Sequence, residues 1–127
     1  MRTAGARLLV VDDEDIVRML AEKMLKTSGL NVITASNGRE AVDVFQENAD
    51  KIDLVLLDMT MPQMGGEETF QELRRRRPDA RVILSSGYSE TDVTARFSGK
   101  GLAGFIQKPY VFEQLIDLVR RILEVPQ

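Results

Sequence analysis

Short, wholly apolar runs alternate along this chain with longer stretches whose apolar residues recur at helical spacing. Leu8-Leu-Val-Val11 is an apolar run bounded by charge, which predicts a strand buried on both faces. From Ile16 to Lys26, Val17, Leu20 and Met24 keep helical spacing, and Gly29 stands where such a helix would stop. Leu30-Asn-Val-Ile-Thr34 predicts a second strand. Ser36-Asn-Gly-Arg39 predicts a turn and the start of a helix that carries Ala41, Val44 and Phe45 on one face. The third strand is expected over Asp53 to Leu57, then a helix from about Glu67 to Arg77, halted by Pro78. Arg81 to Leu84 predicts a fourth strand, Ser89 to Phe97 a short fourth helix, and Ala103 to Gln107 a fifth strand. Phe112, Leu115, Val119 and Ile122 then space out a final amphipathic helix.

Five strands alternating with five helices imply an α/β fold. Crossovers of this length make a doubly wound parallel sheet with helices on both faces. The 127 residues suit one domain, 1–127 with a core from about 7 to 124, and no repeat, linker or low-complexity tract divides them.

Composition narrows the chemistry. With 43% hydrophobic and 29% charged residues the chain has an ordinary globular balance, and a net charge of −3 gives no general electrostatic case for nucleic acid or an anionic membrane. No apolar run approaches the ~20 residues of a membrane span. The start, Met1-Arg-Thr-Ala-Gly-Ala-Arg7, does not read as a signal peptide. The absence of Cys excludes disulfides and thiolate metal sites and suits a reducing, cytoplasmic compartment. The absence of His excludes a Ser-His-Asp triad, His-ligated zinc and a phosphohistidine on this chain. Carboxylate, hydroxyl and lysine chemistry with a hard cation remains. Arg74-Arg-Arg-Arg77, the one basic block, falls in the last turn of a predicted helix, where cations oppose the dipole favourably; it reads as a solvated helix end rather than an anion patch.

Ligands of an open parallel sheet bind outside the carboxyl ends of its strands. The first strand is followed by Asp12, Asp13, Glu14 and Asp15, the third by Asp58, the fourth by Ser85, Ser86 and Gly87, and the fifth by Lys108 and Pro109. Carboxylates brought to one edge repel by about 4 kcal/mol per pair at ~4 Å and an effective dielectric constant near 20. A cation offsets that cost, and oxygen-only ligands favour Mg²⁺, with Mn²⁺ also possible. Lys108 could neutralise one carboxylate without the metal, or meet an anionic ligand with it. Each residue also has a plainer reading. Asp12, Asp13 and Asp15 could cap a helix, Asp58 a turn before Pro62; Ser86 could be a loop hydroxyl, Lys108 a surface lysine and Phe105 core. One edge collecting all of them weakens these readings together.

Leu-Val-Val-Asp12-Asp13-Glu, Leu-Leu-Asp58-Met-Thr-Met-Pro62, Ile-Leu-Ser-Ser86-Gly87 and Phe105-Ile-Gln-Lys108-Pro109, in this order and spacing, resemble the receiver domain of two-component response regulators from Leu8 to Leu123. The resemblance implies a (βα)5 flavodoxin-like sheet of strand order 2-1-3-4-5. It implies Asp58 as phosphoacceptor, and Asp13 as a Mg²⁺ ligand with Asp12, Asp58 and the Thr60 carbonyl. It further implies that the Ser86 hydroxyl and Lys108 bind phosphoryl oxygens, Lys108 aimed inward by a cis Lys108-Pro109 bond. Ser86 and Phe105 would form the switch, and Thr60 and Tyr88 would border the site and tune the phosphoryl lifetime. Two positions depart from the pattern: Gly65 stands where the family often has Asp, and Phe105 where it often has Tyr.

The resemblance also implies partners: a sensor histidine kinase or phosphotransfer domain as donor, and a further partner reading the surface of the fourth helix, fifth strand and fifth helix. The chain would catalyse its own phosphorylation and slow dephosphorylation without turning over an external substrate. It ends at Glu124-Val-Pro-Gln127, as a stand-alone receiver or a piece of a larger protein would. Gly66-Glu-Glu-Thr-Phe-Gln-Glu-Leu73 and Gly99-Lys-Gly-Leu-Ala-Gly-Phe105 resemble most the C-terminal receivers of hybrid sensor histidine kinases. Two alternatives stand beside this reading. One is a receiver-like module that is never phosphorylated. The other is a haloacid dehalogenase-type phosphatase, whose nucleophile would follow the first strand and whose acid/base Asp would occupy the place of Thr60.

Overall fold

The computed structural model describes residues 5–89, 93, 97 and 100–125. Nine elements lie within them: β1 (Arg7–Val11), α1 (Asp15–Thr27), β2 (Asn31–Ala35), α2 (Gly38–Glu47), β3 (Leu54–Asp58), α3 (Gly66–Arg76), β4 (Val82–Ser86), β5 (Gly104–Gln107) and α4 (Phe112–Glu124). The strands form one parallel sheet in the order β2-β1-β3-β4-β5. The expected helix over Ser89–Phe97 lies largely outside the described residues; of that stretch, Val93 and Phe97 are buried.

Strand side chains alternate between two apolar layers. Leu9, Val11, Val55, Leu57, Val82 and Leu84 meet Ala41, Val42 and Phe45 of α2 and Phe70 and Leu73 of α3. Leu8, Val10, Leu54, Leu56, Ile83 and Ile106 meet Ala21 and Leu25 of α1 and Leu115, Ile116 and Val119 of α4. Both layers need apolar residues, so the central strands carry no polar alternation until their last positions. Leu54 to Leu57 are each at most 1% exposed. At about 1.5–3 kcal/mol per buried aliphatic side chain, this anchorage is large enough to hold a polar group at the strand's end in a place that costs solvation.

Helix ends follow local chemistry. Gly29, at φ 88°, closes α1, with its N–H on the Lys26 carbonyl. At α2, Asn37 Oδ1 accepts the Glu40 N–H (2.8 Å), while Glu40 Oε1 accepts the Ser36 N–H (2.7 Å). The bonds from Ser36 to this carboxylate, its backbone N–H first and its hydroxyl (2.8 Å) second, hold the Glu40 carboxyl below its ordinary value.

Two expectations are corrected. Asp58, Ser85 and Ser86 belong to their strands rather than following them, because the ladder continues: Met59 N–H donates to Ser85 O (2.9 Å) and Lys108 N–H to Ser86 O (2.8 Å). The arginine block is not simply a solvated helix end. Arg74 donates to the carbonyls of Ala80, Lys100 and Gly101 and lies over Phe70; Arg77 donates to Ala49 and Ile52 and lies over Phe45. Loop carbonyls outside helices and strands lack ladder partners, and a guanidinium fork satisfies several at once.

Candidate functional site

The alternation that fills the α1/α4 layer also builds the site. Leu8 and Val10 are followed at the same period by Asp12, Leu54 and Leu56 by Asp58, and Ile106 by Lys108. Val11 pairs with Leu57, so the next residues, Asp12 just past β1 and Asp58 at the last position of β3, lie on adjacent strands side by side. Asp58 pairs in turn with Ser85, and Ser85 with Ile106. Lys108 then reaches back across this row. Its Nζ lies 2.8 Å from Asp12 Oδ2, 3.0 Å from Asp58 Oδ1 and 3.9 Å from Glu14 Oε1. The Lys108-Pro109 peptide is cis.

Asp12 is 1% exposed and Asp58 3%. Burial raises the Asp58 pKa from 3.8 to about 6; the Lys108 hydrogen bond opposes this, the Asp12 charge adds to it, and the Thr60 backbone pulls down. Burial alone would lower Lys108, but its hydrogen bonds to Asp12 and Asp58 outweigh that and hold it above the ordinary lysine value. One ammonium thus faces two buried carboxylates, and a third, Asp13, completes a group whose oxygens lie within 4.8 Å of one another. The donor set fits a divalent cation: the ligands are hard oxygens, and among the described residues the buried Asp12 Oδ2 is met by the Lys108 ammonium alone.

The plainer readings separate here. Asp12 Oδ1 accepts the Glu14 N–H (3.0 Å), so Asp12 does order its own loop. The N-cap of α1 is nevertheless Glu14, with no side-chain cap bond, and Asp15 pairs with Arg18 at 2.6 Å. Lys108 is no surface lysine. Ser86 keeps a local role: its hydroxyl is buried and accepts the Tyr88 N–H (2.9 Å), on the opposite strand parity from Asp58. Phe105 is half-buried against the α2/α3 layer, away from the carboxylates. Thr60 and Tyr88 are both exposed.

Two neighbours of the site escaped sequence reading. Arg18 donates to Asp12 O (2.8 Å) and so ties α1 to the acidic loop; the signal available was its i,i+3 spacing from Asp15. Tyr110 lies buried beside the cluster, and burial pushes its hydroxyl up to about 12 against the opposing pull of Ser85. Its place directly after Pro109 was the only hint.

Comparison with known proteins decides the family. The response regulator receiver domain profile matches residues 8–120. This chain belongs to the response regulator receiver family. The sensor kinase CckA of Brucella abortus is 35% identical over 122 residues, covering 96% of this chain and 13% of that kinase. The chemotaxis protein CheY of Thermotoga maritima is 31% identical over 119 residues, 93% of this chain and 98% of that protein. Among solved structures, the CheX–CheY–BeF3–Mg²⁺ complex from Borrelia burgdorferi superposes with TM-score 0.90 and 28% identity, over 96% of this chain and 92% of that one. The receiver domain is accordingly a phosphoacceptor signalling module of a two-component system, with an acidic pocket of the kind that binds Mg²⁺ in this family. Receiver domains work with kinases and phosphotransfer partners. The chain spans about an eighth of the length of the CckA kinase it matches, and essentially the whole of CheY. Among the described residues, no helix is long and apolar enough to cross a membrane.

Proposed function

We propose that Asp58 accepts a phosphoryl group from a phosphohistidine on a sensor histidine kinase or phosphotransfer domain, within a single receiver unit whose core spans about 7–124, working in the cytoplasm. Asp13, Asp12, Asp58 and the Thr60 carbonyl would hold Mg²⁺, or Mn²⁺, which when bound supplies positive charge toward phosphoryl oxygens. The observation that carries this reading is the Lys108 ammonium held between the buried carboxylates of Asp12 and Asp58.

The chemistry needs little else. An Asp58 oxygen attacks phosphorus, the P–N bond breaks, and its electron pair returns to the imidazole nitrogen. With a pKa of about 6, Asp58 is mostly ionised at pH 7, so no general base is needed. Lys108 pairs with the phosphoryl oxygens and the Ser86 hydroxyl donates to one of them. Thr60 and Tyr88, exposed at the rim, govern water access and so the lifetime of the phosphorylated form. Ile16, Met19 and Leu20 on α1, with Val111 and Phe112 at the start of α4, are exposed apolar residues flanking this end of the sheet and offer docking ground to the donor.

Phosphorylation adds about −1.5 to −2 charge at Asp58. Ser86 then exchanges the Tyr88 N–H for the phosphoryl group, Phe105 turns into the space vacated, and the surface of β5, α4 and the chain before β5 changes for a downstream partner. The kinship with CckA supports a place at the C-terminus of a hybrid kinase.

The test is labelling by a small phosphodonor with Mg²⁺. The parent chain is expected to incorporate phosphate and Asp58→Asn none; labelling of the variant would make another residue the acceptor. No labelling of the parent with any donor, with partner binding intact, would instead favour an interaction module. Sustained turnover of p-nitrophenyl phosphate would favour a phosphatase. Beryllofluoride with Mg²⁺ should shift NMR resonances of Ser86 and Phe105; unmoved resonances would refute the switch.

A further inference from the structure

The start of α3 touches the main chain of the site more closely than any side chain would allow. A Cβ on Gly66 would lie 2.6 Å from Met59 Cα, 2.7 Å from Asp58 O and 3.0 Å from Met59 O, against about 3.5–4 Å for a relaxed carbon contact. All three neighbours are backbone atoms, so none can swing away. The approach is used: Gly66 N–H donates to Met59 O (2.8 Å), while Met59 N–H donates to Ser85 O (2.9 Å). Met59 is thereby pinned through both of its backbone groups, the Met59–Thr60 peptide from α3 and the Asp58–Met59 peptide from β4.

A second layer holds Gly66 itself. Thr69, fully buried, donates its hydroxyl to Gly65 O (2.8 Å) and its N–H to the same carbonyl (3.0 Å). On its far side Thr69 is met by Gly38, where an added Cβ would lie 2.4 Å from Thr69 Oγ1 and 3.0 Å from Met64 O. Two helices thus close on the β3–α3 loop through Gly38, Thr69 and Gly66.

We propose that Gly66 is a positioning residue for the divalent-cation site, fixing the Met59 peptide and with it the Thr60 carbonyl beside Asp58. It acts through the main chain and touches neither cation nor phosphoryl group. A side chain at position 66 pushes the start of α3 off Met59, frees that peptide and weakens cation binding more than it weakens the fold. This inference rests on the assignment of Asp12, Asp13, Asp58 and the Thr60 carbonyl as the cation's ligands.

The experiment compares Mg²⁺ dissociation constants and thermal midpoints of the full 127-residue chain, its Gly66→Ala variant and a control. The control is Gly29→Ala, which strains a φ of 88° in open space at the end of α1. Gly66→Ala should weaken Mg²⁺ binding at least about tenfold, the scale of lost outer-shell support. Gly29→Ala should lower the thermal midpoint and leave Mg²⁺ affinity within about twofold. Equal affinity of Gly66→Ala and parent overturns the proposal, as does an equal loss in Gly29→Ala. If Gly66→Ala does not fold, Thr69→Val removes the Gly65 bond at nearly constant shape; a smaller but measurable loss of affinity supports the device, and none overturns it. A parent chain that binds no Mg²⁺ would refute the ligand assignment instead.

Discussion

Lys108 Nζ lies 3.0 Å from Asp58 Oδ1 across 50 residues of sequence, and the same nitrogen lies 2.8 Å from Asp12 Oδ2. This single ammonium offsets two buried negative charges. Lys108→Met should therefore leave two carboxylates unpaired and destabilise the chain by about 3 kcal/mol at pH 7. It should also move the Asp58 pKa above its present value of about 6, because the opposing hydrogen bond is gone. Chemical denaturation and an NMR titration of the Asp58 carboxyl check the two effects.

Asp58 itself works against the fold at neutral pH without metal. Its folded value of about 6 lies above the ordinary 3.8, so the folded chain takes up its proton more readily than the unfolded one. The stabilisation from that proton is fully present below about pH 4 and is lost as pH rises through about 6. Asp58→Asn should stabilise the metal-free chain by about 2 kcal/mol at pH 7 and flatten its stability profile between pH 4 and 6. Urea unfolding of parent and variant across that window is the measurement; a parallel pair of curves would refute the assignment of the shift to Asp58.

Labelling should follow the same group in the same direction. The nucleophile is the carboxylate, so metal-free Asp58 loses reactivity as pH falls through about 6. Bound Mg²⁺ favours the carboxylate, so raising its concentration should shift the acidic limb of the rate profile to lower pH. Rates of phosphate incorporation at several Mg²⁺ concentrations test this, and an acidic limb indifferent to Mg²⁺ would count against Asp58 as a ligand.

Arg74 and Arg75 are neighbours in sequence with different work. Arg74 holds three carbonyls and stacks over Phe70, whereas the Arg75 side chain is 72% exposed and meets Glu72 at 3.4 Å. Arg74→Ala should cost about 2 kcal/mol or more, Arg75→Ala less than about 0.5. Denaturant midpoints measured side by side decide between this and a purely solvated block.

Gln63 has φ 66°, and its neighbours close a tight turn in which Met64 N–H donates to Pro62 O at 2.7 Å. Gln63→Gly should remove the left-handed strain at some cost in unfolded-chain entropy and raise stability by about 0.5 kcal/mol. A lowered thermal midpoint would show that Gln63 contributes contacts that outweigh its backbone.

The sequence by itself determined the order of the five strands and of the four helices described, the apolar runs that become the central strands and the residues delivered to one edge of the sheet. Those are properties of period and punctuation: Leu54 to Leu57, a short apolar run bounded by acidic residues, read as a doubly buried strand, and Gly29 and Pro78 end the helices before them. The resemblance to receivers supplied strand order, which local pattern does not contain. Only the tertiary structure decided which neighbours meet. The register of Val11 on Leu57 puts Asp12 beside Asp58, and the parity shared by Leu56 and Ile106 sends Lys108 to both. The same packing turned part of the arginine block into loop staples, buried Tyr110 beside the cluster and left Gly66 no room for a side chain. Such contacts join residues dozens of positions apart, and their energies depend on distance and burial, quantities that exist only once the chain has folded.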